Sequence, residues 1–214
     1  MSSTPTPLIN PRQAAVDIDP AFVDRWSPRA FEDAPLDDAQ VAALFEAARW
    51  APSSSNEQPW VILFARSAED RARFTDLLSG GNRNWAGRAP LLLFLATRRT
   101  IARNGRVNRH SGFDAGAAWM SLALQARRLG LHAHAMGGFD QERAYVELGV
   151  DPETHEIMVA IAVGRRTVPE TVLPEDLVER ERPNGRVETE SFVFEGGMPS
   201  PPGHGAEQED GGHG

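Results

Sequence analysis

The hydrophobic positions of residues 37–51 repeat with the period of an α-helix. Four apolar residues fall at i, i+3, i+4 and i+7, which places them on one helical face. Asp37 and Gln40 have the spacing of a capping box, so a helix is expected to begin after Asp37 and to end before Pro52. The four apolar residues are Val41, Leu44, Phe45 and Ala48.

Four short apolar runs follow this helix, and each is predicted to be a buried strand. Their apolar residues are continuous rather than alternating, which indicates a sheet covered on both faces. Helical spacing and capping residues predict three further helices between and around the strands. The strands are predicted at 60–65, 91–96, 131–136 and 156–163, and the helices at 67–78, at 114–129 and after the capping residue Asp140.

Two segments indicate a second subunit. The predicted helix at 114–129 is apolar around its whole circumference, so it must be buried on most sides, and a chain this short offers few surfaces to cover it. Residues 191–194 form a lone apolar run, far in sequence from the other strands. We expect this run to be a short strand that pairs with a sheet edge of this or another subunit.

Composition sets the domain organisation and excludes several classes of protein. The 214 residues suit a single domain, predicted at 21–196 between a flexible arm at 1–20 and a disordered, Gly- and Pro-rich tail at 197–214. A formal net charge of −8 argues against nucleic-acid binding, and the absence of cysteine excludes disulfides and thiolate chemistry. No signal sequence or membrane-length apolar run is visible, so a cytoplasmic protein is expected.

Candidate chemistry lies mainly in a loop and in a short arginine-containing segment. The 51–60 loop, Ala-Pro-Ser-Ser-Ser-Asn-Glu-Gln-Pro-Trp, has the composition of a shaped polar loop that holds a ligand. Arg25, Ser27 and Arg29 either converge on one anion, for which guanidinium donors are well suited, or are solvated beside a buried Trp26.

Three other features each have two interpretations. His132 and His134 share a strand face, either as metal ligands or, with no third ligand nearby, as ordinary strand residues. Gly137 and Gly138 either let the backbone approach a ligand or make a tight turn. The arginine-rich segment 98–110 is either solvated or a lid over an anionic ligand.

The recognised phosphate-loop, dinucleotide, zinc and nucleophile-elbow motifs are absent from the sequence. Neutral polar loops with scattered arginines suit a phosphorylated cofactor that carries its own reactivity. From the residues alone, an anionic-cofactor protein is only weakly favoured over an unspecified α/β domain.

Taken in order, these segments resemble the FMN-dependent nitroreductase family. The resemblance runs from Phe22 to Met198, and its most specific part is the 51–60 loop. It implies an α+β fold, a three-layer α/β/α sandwich with a mixed, mainly antiparallel sheet, in an intertwined homodimer with FMN at the interface. The other matching segments are 25–31, Gly81-Asn82 with Trp85 before Ala89-Pro90, 114–116, Gly130-Leu131, 137–140 and Gly164.

The resemblance also implies roles for individual residues. One group would hold the FMN phosphate and ribityl chain, a second would reach the flavin from the other subunit, and a third would lie against the ring. No catalytic side chain and no metal are implied, and Gly137 and Trp85 replace an acidic residue and a lysine found in some members. The three groups are Arg25, Ser27, Arg29 and Arg186 (with Arg182 as the fallback); Pro52, Ser53, Ser54 and Asn56; and Asn82, Gly137 and Gly138.

The implied reaction is a ping-pong reduction in which NAD(P)H reduces the flavin and leaves before the electron acceptor binds. The acceptor would be a nitroaromatic, a quinone or a related small molecule. The same fold also hosts reductive dehalogenation, enal reduction and flavin destruction, and a flavin-binding protein without turnover is the non-enzymatic alternative.

Overall fold

The structure is a computed structural model that describes residues 10–199. It divides into two compact units, the first ending at Asn184 and the second beginning at Gly185. The predicted tail and the first part of the predicted arm lie largely outside the described residues. Within the arm, Asn10 donates through Nδ2 to the carbonyl of Val23 (3.2 Å) and to Asp24 Oδ1 (3.1 Å).

A four-stranded antiparallel sheet forms the centre of the first unit. The strand order is β1-β2-β4-β3, so β1 and β3 are the two edges. All four strands predicted from the apolar runs are present, which confirms their number and positions. The strands are β1 (Trp60–Ala65), β2 (Leu91–Arg98), β3 (His132–Met136) and β4 (His155–Gly164).

Helices cover both faces of the sheet and give the three layers of the α/β/α sandwich. Residues of α2 and α5 form one apolar layer, and residues of α3, α4, α6 and α7 contribute to the other. Asp37 makes the predicted capping box with Gln40, and the Asp140 side chain caps α6. The helices are α1 (Pro20–Asp24), α2 (Asp38–Arg49), α3 (Ala68–Asp76), α4 (Gly80–Ala86), α5 (Ser111–Arg128), α6 (Gln141–Glu147) and α7 (Glu175–Val178).

Strand β2 shows why the apolar runs are continuous. Its odd-numbered leucines pack in the α2/α5 layer, and its even-numbered apolar residues pack in the opposite layer. The edge strand β1 differs, because Phe64 is 49% exposed within one chain. The expectation of two covered faces therefore fails for β1 in the single chain.

Residues 82–85 lie in α4, a helix that the sequence analysis did not predict, and Trp85 of this helix is buried against Phe31. Residues 191–194 are not a strand in the single chain, and their pairing with a sheet edge of another subunit stays a prediction. The amides of Phe192 and Val193 donate to the carbonyl of Thr189, so a local 3₁₀ turn at Thr189–Ser191 replaces strand pairing.

Within residues 10–199, no helix has the length and hydropathy needed to cross a membrane.

Candidate functional site

The 51–60 loop has an unusual backbone. Ser55, Asn56 and Gln58 all have positive φ, at 52°, 57° and 44°. This left-handed region costs a residue with a side chain roughly 1–2 kcal/mol. Three such residues in a span of four persist only where the surroundings fix them, and strain of this kind concentrates at ligand sites.

Two hydrogen bonds fix the centre of the loop. Asp114, at the start of α5 and 1% exposed, accepts through Oδ1 from the amide of Ser54 (3.2 Å). Ser53 accepts through Oγ from the amide of Gln58 (3.0 Å). These bonds leave the predicted ligand-contacting residues of the loop at or near its surface: Pro52 and Asn56 are exposed, and Ser53 and Ser54 are half-buried.

An ion pair holds the other end of the loop. Arg98 donates through Nη2 to the Glu57 carboxylate (3.1 Å) and to the Glu57 carbonyl (3.0 Å), and the amide of Ala102 donates to the same carboxylate (2.9 Å). Arg99 pairs with Glu156 at 3.0 Å. Arg98 thus supports the loop from within the chain, whereas Arg99, whose side chain is 41% exposed, forms a partly solvated ion pair.

The 25–31 segment alternates between buried and half-buried side chains. Trp26 and Pro28 are buried, whereas Arg25, Ser27 and Arg29 are half-buried, which is the alternation of extended backbone. The three predicted anion ligands therefore share one side of the segment.

A buried carboxylate that no local sequence pattern predicts anchors this segment. Glu181 is 4% exposed and accepts from the amides of Arg29 (2.9 Å) and Ala30 (3.0 Å). Its carboxylate also lies 3.9 Å from the Arg29 guanidinium and 4.0 Å from Arg166 Nε. Because Glu181 is about 150 residues from its partners, local spacing does not reveal it.

Arg25 and Arg29 lie near strand β3, next to His134. Its Nδ1 donates to the carbonyl of Pro28 (2.9 Å), and its ring lies 4.6 Å from the ring of Trp85. Burial, together with the smaller effects of nearby Arg29 and Arg25, lowers the pKa of His134 to about 4 against the opposing effect of the Pro28 carbonyl. The ring is therefore neutral at pH 7, and the two guanidiniums lie near the same imidazole.

His132 is also neutral at pH 7, because burial and the charges of Arg127 and Arg166 lower its pKa to about 3. Among the described residues, no three His, Cys, Asp or Glu side chains are grouped as metal ligands. Each histidine contacts another part of the protein: His134 Nδ1 bonds to the Pro28 carbonyl, and His132 Nε2 lies 3.2 Å from Arg127 Nη1.

Asn82 and the glycine pair meet at the end of β3. Asn82 donates through Nδ2 to the carbonyl of Gly138 (2.9 Å), which also accepts from the amide of Ser79 (3.0 Å). A Cβ on Gly138 would lie 2.7 Å from Ser79 Oγ, whereas a Cβ on Gly137 would meet no atom within 4 Å. Gly138 is thus required for packing, and Gly137 presents open backbone.

The predicted site residues therefore form two groups at opposite edges of the sheet. Arg25, Arg29, Asn82 and the glycines lie along β3, and the 51–60 loop leads into β1. Strands β2 and β4 separate these edges, which corresponds to about 14 Å at the usual strand spacing. Trp60 pairs with Thr97, which pairs with Glu156 near the start of β4, so the loop and the end of β3 face the same end of the sheet.

Arg186 belongs to neither group. It lies in the second unit, where it is exposed and donates to the carbonyl of Gly185 (2.8 Å). Arg182, the fallback residue, is exposed in the first unit. The role of either residue stays a prediction.

Comparisons with known proteins agree with this fold and arrangement. A protein of Streptomyces coelicolor, provisionally named NADH dehydrogenase/NAD(P)H nitroreductase, is 31% identical over 179 residues, which is 73% of this chain and 85% of the relative. A crystal structure described as an oxidoreductase containing FMN is 41% identical, with a TM-score of 0.84 over 94% of this chain and all of the other.

A second solved structure shares the fold at low identity. It is from Exiguobacterium sibiricum, is described as a provisional nitroreductase in complex with FMN, and is 17% identical, with a TM-score of 0.67 over 85% of this chain and 98% of the other. The model of the nitroreductase family matches residues 23–84 and 77–165, well over half of the chain. The chain therefore belongs to the nitroreductase family.

Proposed function

We propose that this chain is an FMN-dependent oxidoreductase that uses NAD(P)H to reduce nitroaromatics, quinones or related small acceptors by a ping-pong mechanism. The observation that carries the proposal is the series of groups along β3: two guanidiniums beside a neutral imidazole, then Asn82, then the open backbone of Gly137. The family membership and the FMN-containing relative support it.

The groups along the β3 edge match the successive parts of FMN, from its phosphate to its ring. Arg25, Arg29 and the Ser27 hydroxyl would hold the phosphate, because guanidinium groups match its charge and geometry. Asn82 uses Nδ2 on Gly138, which leaves Oδ1 as an acceptor for the polar edge of the ring. Gly137 would allow the ring to approach the backbone, since no side chain occupies that position.

Bound FMN would supply the redox chemistry, accepting reducing equivalents from NAD(P)H and passing them to the acceptor in a second half-reaction. The contribution of the protein is then positioning and electrostatics. Glu181 fixes the backbone of Arg29 and Ala30, and the buried, neutral His134 fixes the carbonyl of Pro28. No side chain of this chain needs to act as a nucleophile.

We also propose that the active form is a homodimer in which the 51–60 loop serves the flavin of the other subunit. The separation of the two groups across the sheet supports this assembly. Exposed apolar side chains on α5 and β1 support it as well, because Phe113 at the start of α5 is 81% exposed and Phe64 on β1 is 49% exposed. Pro52, Ser53, Ser54 and Asn56 would then contact a flavin held mainly by the partner.

The flavin phosphate contact is tested by Arg29→Ala. The substitution removes the guanidinium but keeps the backbone amide that Glu181 accepts from, so the segment retains its anchor. We expect FMN binding to weaken by about 1.5–3 kcal/mol, the value of a charge-assisted contact. Fluorescence titration of the stripped protein measures this, with exposed Arg88→Ala as the charge-matched control. Equal affinity in the two variants would remove Arg29 from the site.

The support of the loop is tested by Arg98→Met. The change leaves the Glu57 carboxylate, only 10% exposed at its side chain, without its cation and releases the strained loop. We expect FMN affinity to fall by about 1–3 kcal/mol together with dimer stability. Flavin titration and sedimentation measure the two effects, with exposed Arg106→Met as the control. If thermal stability falls while flavin affinity and dimer stability are unchanged, Arg98 contributes only to the stability of the fold.

The reaction itself is tested by steady-state kinetics with NADH and NADPH against nitroaromatic, quinone, enone and haloaromatic acceptors. We expect a yellow protein and parallel double-reciprocal lines, the signature of ping-pong turnover. Intersecting lines would contradict the ping-pong order. Background turnover by protein that retains flavin would replace the enzymatic assignment with a flavin-binding role.

A further inference from the structure

Residues 99–109 form a small hairpin between β2 and α5, the arginine hairpin. Thr100 pairs with Val107 in an antiparallel bridge, and the amide of Gly105 donates to the carbonyl of Ile101 (2.9 Å). Gly105 has a φ of 68°, a backbone conformation that glycine adopts without steric cost. This segment, whose sequence allows either a solvated stretch or a lid over an anion, therefore has a defined backbone.

The arginine hairpin is attached to the 51–60 loop through Glu57. The Glu57 carboxylate accepts from the amide of Ala102 (2.9 Å), at the turn of the hairpin, and from Arg98 Nη2 (3.1 Å), just before the hairpin begins. The turn is therefore held against the loop that is proposed to contact the flavin. The arginine hairpin is thus a neighbour of the proposed flavin site.

The hairpin carries positive charge that the rest of the described chain leaves unpaired. Three of its guanidiniums belong to exposed side chains and make no ion pair or hydrogen bond within residues 10–199. No acidic residue occurs between Arg98 and Asp114. In a chain of net charge −8, such a concentration of cationic groups attracts anions to one part of the surface. The three residues are Arg103, Arg106 and Arg109.

The carboxylates that pair with this part of the chain do not cancel the charge of the three exposed arginines. Glu57 is paired with Arg98, and Glu156 is paired with Arg99. Each of these carboxylates is therefore matched by an arginine at or before the base of the hairpin. The three guanidiniums nearer the turn and α5 remain in excess, with their donors free for a ligand.

An anionic group at the outer end of a flavin-bound molecule would suit these donors. In the proposed reaction the nicotinamide ring of the electron donor lies against the flavin, and its adenosine end extends away from it. NADPH carries a 2′-phosphate at that end, and NADH does not. Guanidinium groups match phosphate in both charge and geometry, so they would distinguish the two nucleotides.

We propose that the arginine hairpin binds the 2′-phosphate of NADPH and thereby makes NADPH the preferred electron donor. The proposal rests on the proposed function and deepens it by assigning the donor. In the proposed homodimer, the hairpin would serve the same flavin as the 51–60 loop to which Glu57 attaches it.

The test compares two ligands that differ only in the 2′-phosphate. Calorimetric titration of the flavin-loaded full chain with adenosine 2′,5′-bisphosphate and with AMP measures the contribution of this group without turnover. We expect the bisphosphate to bind about tenfold more tightly, and the double variant Arg103→Gln/Arg109→Gln to lower this ratio at least about threefold. Increasing salt should also lower the ratio, because the arginines are exposed.

The matched control is the double variant Arg88→Gln/Arg165→Gln. Both arginines are exposed, and they lie beside the start of β2 and the end of β4, which is the end of the sheet opposite to the hairpin. The control should keep the binding ratio of the unsubstituted protein. In steady-state kinetics, kcat/KM for NADPH should fall more than kcat/KM for NADH in the hairpin variant alone.

Equal affinity of the unsubstituted protein for the two adenosine ligands would overturn the proposal, as would equal losses in the hairpin variant and the control. Turnover of NADH and NADPH with equal kcat/KM by the flavin-loaded protein would overturn it while leaving the proposed function intact. A protein that neither binds flavin nor oxidises either nucleotide would contradict the proposed function itself, and with it the role of the hairpin.

Discussion

The order of the strands is the constraint on which the account of this protein depends. Because β2 and β4 are central, the segments that follow β3 and precede β1 lie at opposite edges of one sheet. Each edge carries one part of the proposed flavin site. In the proposed homodimer, the loop from one edge of a subunit would meet the guanidiniums at the other edge of its partner, and a closed symmetric pair would create two equivalent sites.

Contacts of buried carboxylates within the chain hold both parts in shape. Glu57 and Arg98 support one end of a loop with three left-handed residues, and Asp114 holds its centre. At the other edge, Glu181 fixes the backbone beneath Arg29. Surfaces held in this way would need little ordering when the proposed flavin binds, which is how rigid sites gain affinity.

Local patterns in the sequence predict the helices and strands well, because the spacing of apolar residues and helix capping depend on only a few neighbouring residues. Asp37, Gln40 and Asp140 cap the helices expected of them. The contacts that shape the site are non-local and were missed: Glu181 meets Arg29 across 152 positions, and Arg98 meets Glu57 across 41. The apolar run at 191–194, which is not a strand in the single chain, has the same origin, because strand formation depends on a pairing partner that the local pattern does not specify.

The claim that the two edges complete one site across a dimer is tested by mixing two variants. One chain carries Arg25→Ala and Arg29→Ala, and the other carries Ser54→Ala and Asn56→Gly, the latter suited to the positive φ of that position. Each homodimer would have two damaged sites. In the mixed dimer one site receives every defect and the other none, so FMN binding should return to half of the sites. Mixed dimers that bind no more FMN than either homodimer would contradict the shared site.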